Sequence, residues 1–421
     1  MISVYDRMCW PVGALERALR EGSHRRELTA YLGQSEYTLL RALARAAAPG
    51  RRRDSPLKVY LLPGIMGSQL GTPRARGEPP DLLWLDPSDI MRGRLAELRR
   101  GANPRLQPLG GIDYSYLALK LRLETAGFDV TLHDYDWRES LEPLGAELAR
   151  RLRAERGRRL ALVGHSMGGL LARAALARLA GGRTDARIER VIGLGTPHGG
   201  SLGAVQALRA TYPVVFRLAA VDPRHDAEQL SRQVFSTFPS IYQLLPADVQ
   251  GLDLFDPRAW PRRGARPHAA MLAAALGFGA RMCAADARFV SIIGTGQRTV
   301  TGIERRGGQF HYEVSAAGDG TVAMPRATLP GARNYYLRCE HSELPRSELV
   351  ARAVTDLLRT GRTRRLPQRK ILARAPHARV SDADLRRAFA GKIDWPSLST
   401  AERRRYFERL NTPPAIYWPA R

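Results

Sequence analysis

The sequence predicts an α/β protein: a mostly parallel central sheet with helices on both faces and an inserted cap. Three observations lead there. Short apolar runs alternate with helical patterns from residue 57 onward. One of those runs leads directly into a Gly-x-Ser-x-Gly pentapeptide and then a helix. The alternation breaks once, between about 200 and 286, where Pro and aromatic residues scatter instead. At 421 residues and 44% hydrophobic content, the chain can form one large domain with appendages around a sizeable core.

Taken in order, residues 1–55 read as a helical extension. Leu15, Leu19, Leu28, Tyr31, Leu32, Leu39, Leu40 and Leu43 recur at roughly helical spacing, and a basic linker, PGRRR (49–53), follows. The catalytic unit is expected over 56–362. It opens with LKVYLLPG (57–64), apolar except for Lys58, the pattern of a buried parallel strand. Helices are predicted over 113–126, 140–156 and 167–179, and strands over 128–132, 160–163 and 190–194. In the cap, Tyr212, Phe216, Phe235, Phe238, Tyr242, Phe255 and Trp260 are expected to be mainly cap core, with some facing a pocket. Beyond it come a strand at 289–293, a hairpin over 299–315 turning at Arg306-Gly307-Gly308, a final strand at 334–338 and a helix over 345–359. Residues 363–421 read as a basic tail. The stretch 361–379 has seven Arg or Lys and no acid, which is the pattern of a solvated segment or of a contact with anionic membrane. Two short helices are expected after it, the second opened by a capping box, Ser399-x-x-Glu402.

The formal net charge is +25, and only four of the 66 basic residues are lysine: Lys58, Lys120, Lys370 and Lys392. Such a surface attracts polyanions, of which anionic lipid head groups and nucleic acid are the candidates. No zinc-finger spacing, RNA-binding signature or helix-turn-helix supports nucleic acid. Cys9, Cys283 and Cys339 are far apart, which predicts neither a zinc site nor a disulfide scaffold. The N-terminus lacks the basic start and apolar run of a secretory signal, and no apolar run reaches eighteen residues. The expected location is the cytoplasm, with peripheral membrane contact.

The chemistry centres on Gly164-His165-Ser166-Met167-Gly168. A serine hydroxyl must be presented in the open and deprotonated before it attacks. In the Gly-x-Ser-x-Gly elbow, small residues let a strand turn sharply into a helix with serine at the tip. LALV before the motif and MGGLLARAALARL within and after it supply strand and helix, so an α/β-hydrolase with Ser166 as nucleophile is predicted. The acid and base should follow in that order. His341, in RCEHSELP after the last strand, is the candidate base, ahead of His198, His225, His268, His311 and His377. Asp319 in Gly318-Asp319-Gly320-Thr321-Val322 is the candidate acid. Asp253, Asp256 and Asp286 fit the order less well, and the plainer role for Asp319 is a turn held by its own side chain. Backbone N–H groups of Met167, after the nucleophile, and of Ile65, in Pro63-Gly64-Ile65-Met66-Gly67-Ser68, are the candidate oxyanion donors. Gly64, His165 and His198 are expected around the pocket. For Asp136-Trp137-Arg138 a structural ion pair is the favoured role, and for His198 a structural role in its loop. No metal or organic cofactor is required.

The motifs LLPGIMGSQL (61–70), YDWRES (135–140), VGHSMGG (163–169), GTPHGGS (195–201), TFPSIYQLLP (237–246), GDGTV (318–322) and CEHSELP (339–345) occur in one order over roughly 57–366. In them the chain resembles a bacterial member of the lecithin:cholesterol acyltransferase-like family of α/β-hydrolases. The resemblance implies Ser166, Asp319 and His341 as a triad and Ile65 and Met167 as oxyanion hole. It also implies release of an acyl chain from a glycerophospholipid or similar ester, or its transfer to an alcohol. Residues 71–105 carry no cysteine, so the disulfide-tied lid of the family's secreted animal members has no counterpart, nor do the two chain ends. Two other classes of function stand beside this one: a hydrolase of non-lipid esters or thioesters, and a non-catalytic basic protein associated with membrane or nucleic acid.

Overall fold

The computed structural model describes residues 12–47, 55, 57–75, 78, 80–371, 377–389 and 391–417. Cys9 and the linker at 49–53 lie outside them. Helices α1 (Val12–Glu21), α2 (Arg25–Leu32) and α3 (Gln34–Ala46) open the described chain. Strand β1 (Leu57–Leu62) enters the central sheet. A small antiparallel sheet of β2 (Ser68–Thr72), β3 (Asp81–Trp84) and β4 (Gln107–Gly111), with α4 (Pro87–Met91) inserted, follows it. Then come α5 (Asp113–Thr125), β5 (Asp129–Leu132), α6 (Leu141–Ala154), β6 (Arg159–His165), α7 (Met167–Ala177) and β7 (Ile188–Leu194).

The cap is mainly helical: α8 (Leu202–Leu208), α9 (Pro213–Val221), α10 (Ala227–Gln233), α11 (Pro239–Gln243), α12 (Ala269–Ala275) and α13 (Phe278–Arg281), joined by short 3-10 turns and, over 244–268, by mostly irregular chain. Strand β8 (Phe289–Thr295) returns to the central sheet. Next are the hairpin β9 (Thr299–Arg306) and β10 (Gln309–Ser315), α14 (Met324–Ala327), β11 (Arg333–Arg338), α15 (Glu348–Thr360), β12 (Ala378–Ser381), α16 (Asp382–Ala388) and α17 (Thr400–Glu408).

The central sheet has six strands in the order β11-β8-β7-β6-β1-β5, and every pair is parallel. Crossovers between parallel strands place helices on both faces, so β1 is buried on both sides. Val59 and Leu61 pack with α5 and α15, while Tyr60 and Leu62 join the larger core that holds α6, α7 and the cap. Helix α7 is apolar nearly all round and buried from Met167 to Leu176, as its position under the sheet requires.

Both chain ends pack on the rest of the molecule. Leu15, Leu19, Leu28, Leu32 and Leu40 bury themselves against Leu117, Ala118 and Leu121 of α5, so the N-terminal helices dock on the catalytic unit; Leu39 stays exposed. Lys120 on α5 pairs with Glu16 and with Glu124 (2.9 Å) in that buried seam. The C-terminal residues are not simply a solvated tail. Strand β12 pairs with β10, extending the hairpin to a separate three-stranded sheet. Behind it, Asp382 is fully buried and receives Nη2 of Arg209 (2.8 Å) and the Tyr312 hydroxyl (2.8 Å). Apolar Val380, Leu385, Trp395, Phe407 and Tyr417 supply the burial that holds this basic segment down. Ser399 and Glu402 form the reciprocal cap of α17.

Candidate active site

Strand β6 ends at His165 and α7 begins at Met167, leaving Ser166 alone at the junction with φ 52° and ψ −124°. That region is unfavourable for a residue with a side chain, typically by about 1–3 kcal/mol. Neighbours hold it there: Ser166 N–H donates to Leu194 O (2.8 Å), and Gly169 N–H to Ser166 O (3.1 Å). The motif's glycine at 168 is required by crowding, since a Cβ there would lie 2.3 Å from Leu62 O on β1.

His341 follows β11 and is buried, as is Asp319. Its Nδ1 lies 2.7 Å from Asp319 Oδ2, and its N–H donates to Asp319 O (2.8 Å). The other carboxylate oxygen, Oδ1, accepts from Thr321 N–H (3.0 Å) and Val322 N–H (2.7 Å). One oxygen therefore closes the Gly-Asp-Gly turn while the other faces the imidazole. A carboxylate on Nδ1 fixes the tautomer that leaves Nε2 as a proton acceptor. Ser166 and His341 line one cavity of about 90 Å3, together with Gly64, Ile65 and His165.

The loop after β1 wraps this cavity. A Cβ on Gly64 would stand 2.9 Å from Ser166 Cβ, so only glycine allows the approach. Three aromatic side chains brace the loop backbone. Tyr135 O–H donates to Pro63 O (2.7 Å), Trp84 Nε1–H to Met66 O (2.9 Å), and Gly64 N–H donates to the Tyr116 hydroxyl (2.9 Å). Ile65 is thereby held at the cavity wall. Met167 is the first residue of α7, so its N–H has no acceptor within the helix and stands at the positive end of the helix dipole.

A relay links these parts. Burial, with the neighbouring His341, lowers the His165 pKa to about 3, so its ring is neutral. Its Nε2 lies 3.0 Å from His341 O, which can only accept, so Nε2 carries the proton. Nδ1 then accepts from the Tyr116 hydroxyl (3.0 Å), which in turn accepts from Gly64 N–H. The loop after β1, α5, the elbow and the loop after β11 are thus joined in one hydrogen-bonded chain. Tyr116 was invisible in the sequence, where it is one aromatic within a helix.

Other expected residues fall elsewhere. His198 does not line the cavity. It tucks under the strand ends, with Nε2 3.3 Å from Ser291 Oγ on β8, and burial lowers its pKa to about 3. Its loop turns the side chain back toward β8 rather than toward Ser166. Asp136 and Arg138 form a bidentate pair (2.9 and 2.7 Å), while Trp137 Nε1–H donates to Ser68 O (3.0 Å). Among the cap aromatics, Phe238, Tyr242 and Trp260 are core, whereas Tyr212 and Phe235 reach the cavity beside Ala204, Ala207, Val215 and Ile241. Among the described residues, no group of three or more His, Cys, Asp or Glu side chains is arranged to hold a metal ion.

A parallel sheet that carries a serine in a strained turn between strand and helix defines the α/β-hydrolase class, and the protein is of that class. Within it the chain belongs to the lecithin:cholesterol acyltransferase family, whose model matches residues 125–343, just over half of its length. It is an ester hydrolase or acyltransferase. Curated protein sequences include no match. Among solved structures, the mature form of the Bacillus licheniformis lipase BlEst2 is 18% identical, with a TM-score of 0.38 over 72% of this chain and 91% of that one. The propeptide form of that lipase, also 18% identical, has a TM-score of 0.34, and the alignment covers 72% of this chain and 50% of that one. The metagenomic carboxyl esterase MGS0156 is 14% identical, with a TM-score of 0.34 over 68% of this chain and 65% of its own.

Proposed function

We propose that the protein cleaves or transfers lipid acyl esters through Ser166, His341 and Asp319. The observation that carries this reading is the convergence of Ser166 and His341 on a cavity whose far walls are apolar cap side chains, with Asp319 2.7 Å behind the imidazole. Ser166 Oγ attacks the ester carbonyl as His341 Nε2 takes its proton. The oxygen that gains charge is stabilised by the N–H groups of Ile65 and Met167, each such donor contributing ~3 kcal/mol. The C–O bond to the alcohol then breaks, and His341 returns the proton to the leaving oxygen. Water or a second alcohol attacks the acyl-enzyme in the same way, giving acid or new ester.

The apolar lining formed by Ala204, Ala207, Val215, Phe235 and Ile241 supports a fatty acyl chain as the group held there. The net charge of +25 supports peripheral contact with anionic membrane, which salt should weaken. No helix among the described residues is long and apolar enough to cross a membrane. The direct test is to label the protein with a fluorophosphonate, and to identify by mass spectrometry what it makes from a mixed lipid extract. Labelling at Ser166 with release or exchange of acyl chains is the expected result. Folded protein that resists labelling, or products other than acyl-transfer products, would overturn the reading.

A further inference from the structure

An ester offers the enzyme two arms, the acyl chain and the alcohol, and two cavities meet beside His341. The first is the cap-walled cavity just described. The second, of about 80 Å3, runs between Trp84, Ile112 and Tyr116 on one side and Phe407, Glu408 and Leu410 on the other. The two share Ile65, Met66, His165, His341 and Asn411. The second is the more polar, with Ser115, Ser342, Glu408 and Asn411 in its wall. If the first cavity takes the acyl chain, the second is the place for the alcohol.

The chain has 66 Arg and Lys residues among 421, yet among the described residues not one lines either cavity. The second cavity has a carboxylate instead: Glu408, which accepts from Arg404 Nε at 2.7 Å. A phosphate removed from water needs cationic or densely clustered N–H partners, and a carboxylate in the wall opposes it. A neutral hydroxyl-bearing arm needs only a few neutral donors and acceptors.

Asn411 is built to be one of them. Arg217 of α9 donates to Arg409 O (2.6 Å), Leu410 O and Thr412 O (2.8 Å), and Tyr406 O–H donates to Arg217 O (2.8 Å), so a half-buried guanidinium shapes the turn around Asn411. Tyr212 O–H donates to Asn411 Oδ1 (3.1 Å), which orients the amide and leaves its N–H groups as the donors at the junction. The turn lies outside the span matched by the family.

We infer that the second cavity is the alcohol subsite, that it takes an uncharged alcohol such as the glycerol of a neutral glyceride, and that Asn411 is a specificity-determining residue there. The inference rests on the acyl-ester reading above and narrows its substrate. It is tested on the full chain with diacylglycerol and phosphatidylcholine of the same acyl chains, in micelles of one uncharged detergent, following fatty acid release. The expected kcat/KM is at least about tenfold higher for diacylglycerol, the scale of one well-placed hydrogen bond or one avoided desolvation. Asn411→Leu should lower kcat/KM on diacylglycerol about tenfold more than on a nitrophenyl ester of the same chain, mostly through KM.

Equal or faster turnover of phosphatidylcholine overturns the inference while leaving the ester-cleaving reading in place, and this comparison needs no variant. Equal losses on both esters in Asn411→Leu overturn the assignment of Asn411. Failure of a fluorophosphonate to label Ser166 overturns the function and this inference together.

Discussion

The span matched by the family and the two chain ends organise themselves by opposite means. Within 125–343, function-bearing geometry is local: the elbow turns within five residues, and Asp319 closes its own turn to Thr321 and Val322. The ends work at long range. Arg404 on α17 reaches Tyr31 O (2.7 Å) and Glu36 on the N-terminal helices, and Arg209 in the cap meets Asp382 at 2.8 Å. The first region holds the proposed reacting groups. The second clamps the cap and, through 406–412, forms a wall of the site. The difference teaches that arginine surplus here is not only surface charge, because several arginines act as buried cross-links between distant segments.

That comparison can be broken or sharpened by experiment. Ser166→Ala should lower ester turnover on the order of a million-fold while leaving the thermal midpoint nearly in place. Retained turnover removes the proposed nucleophile. Asp319→Asn keeps the turn-closing oxygen but presents the wrong partner to His341, so kcat should fall about 10^4-fold with little loss of stability; full activity would put the acid elsewhere. In the other region the pattern should reverse. Asp382→Asn leaves Arg209 buried without its counter-charge and should cost about 3–5 kcal/mol in urea unfolding. A loss below about 1 kcal/mol there would show that the C-terminal clamp is dispensable. Tyr116→Phe keeps the ring but cuts the relay to Gly64 and His165, and kcat should fall about tenfold, the worth of one buried hydrogen bond, with KM little changed.

A last effect is in pH. Burial lowers His133 to about 4 and His165 and His198 to about 3, whereas unfolded histidine titrates near ~6.5. Below that value the unfolded chain binds more protons than the folded one. The stability they contribute is therefore complete above about pH 6.5 and declines toward pH 4, by up to about 1.4 kcal/mol per pH unit for each histidine. Thermal midpoints measured from pH 8 to 5 should fall only in the acidic half, and His198→Asn should shallow the slope.

Much of this was legible in the sequence because it is written in contiguous residues. A short apolar run leading into a turn has the pattern of a central strand, so LKVYLL announced β1 and LALV announced β6. The elbow is a backbone constraint, and glycine at 168 reports it wherever strands crowd a helix start. The bidentate pair of Asp136 and Arg138 sits two residues apart and was readable for the same reason. For His198 the favoured structural role was readable only in outline, because a strand-end loop can point a side chain up toward the cavity or back beneath the sheet, and packing against Ser291 decided it. Tyr116 and Asn411 were silent for a related reason. Each is an ordinary residue in its own segment and gains a role only where segments up to about 200 residues apart are brought together. By itself, the sequence determined the parallel sheet and the serine at the turn from strand to helix, since these follow from hydrophobic period and turn sterics. Only the tertiary structure decided how the loop after β1 is braced, and that the C-terminal turn at 407–411 walls the second cavity, because those depend on contacts whose partners share no local pattern.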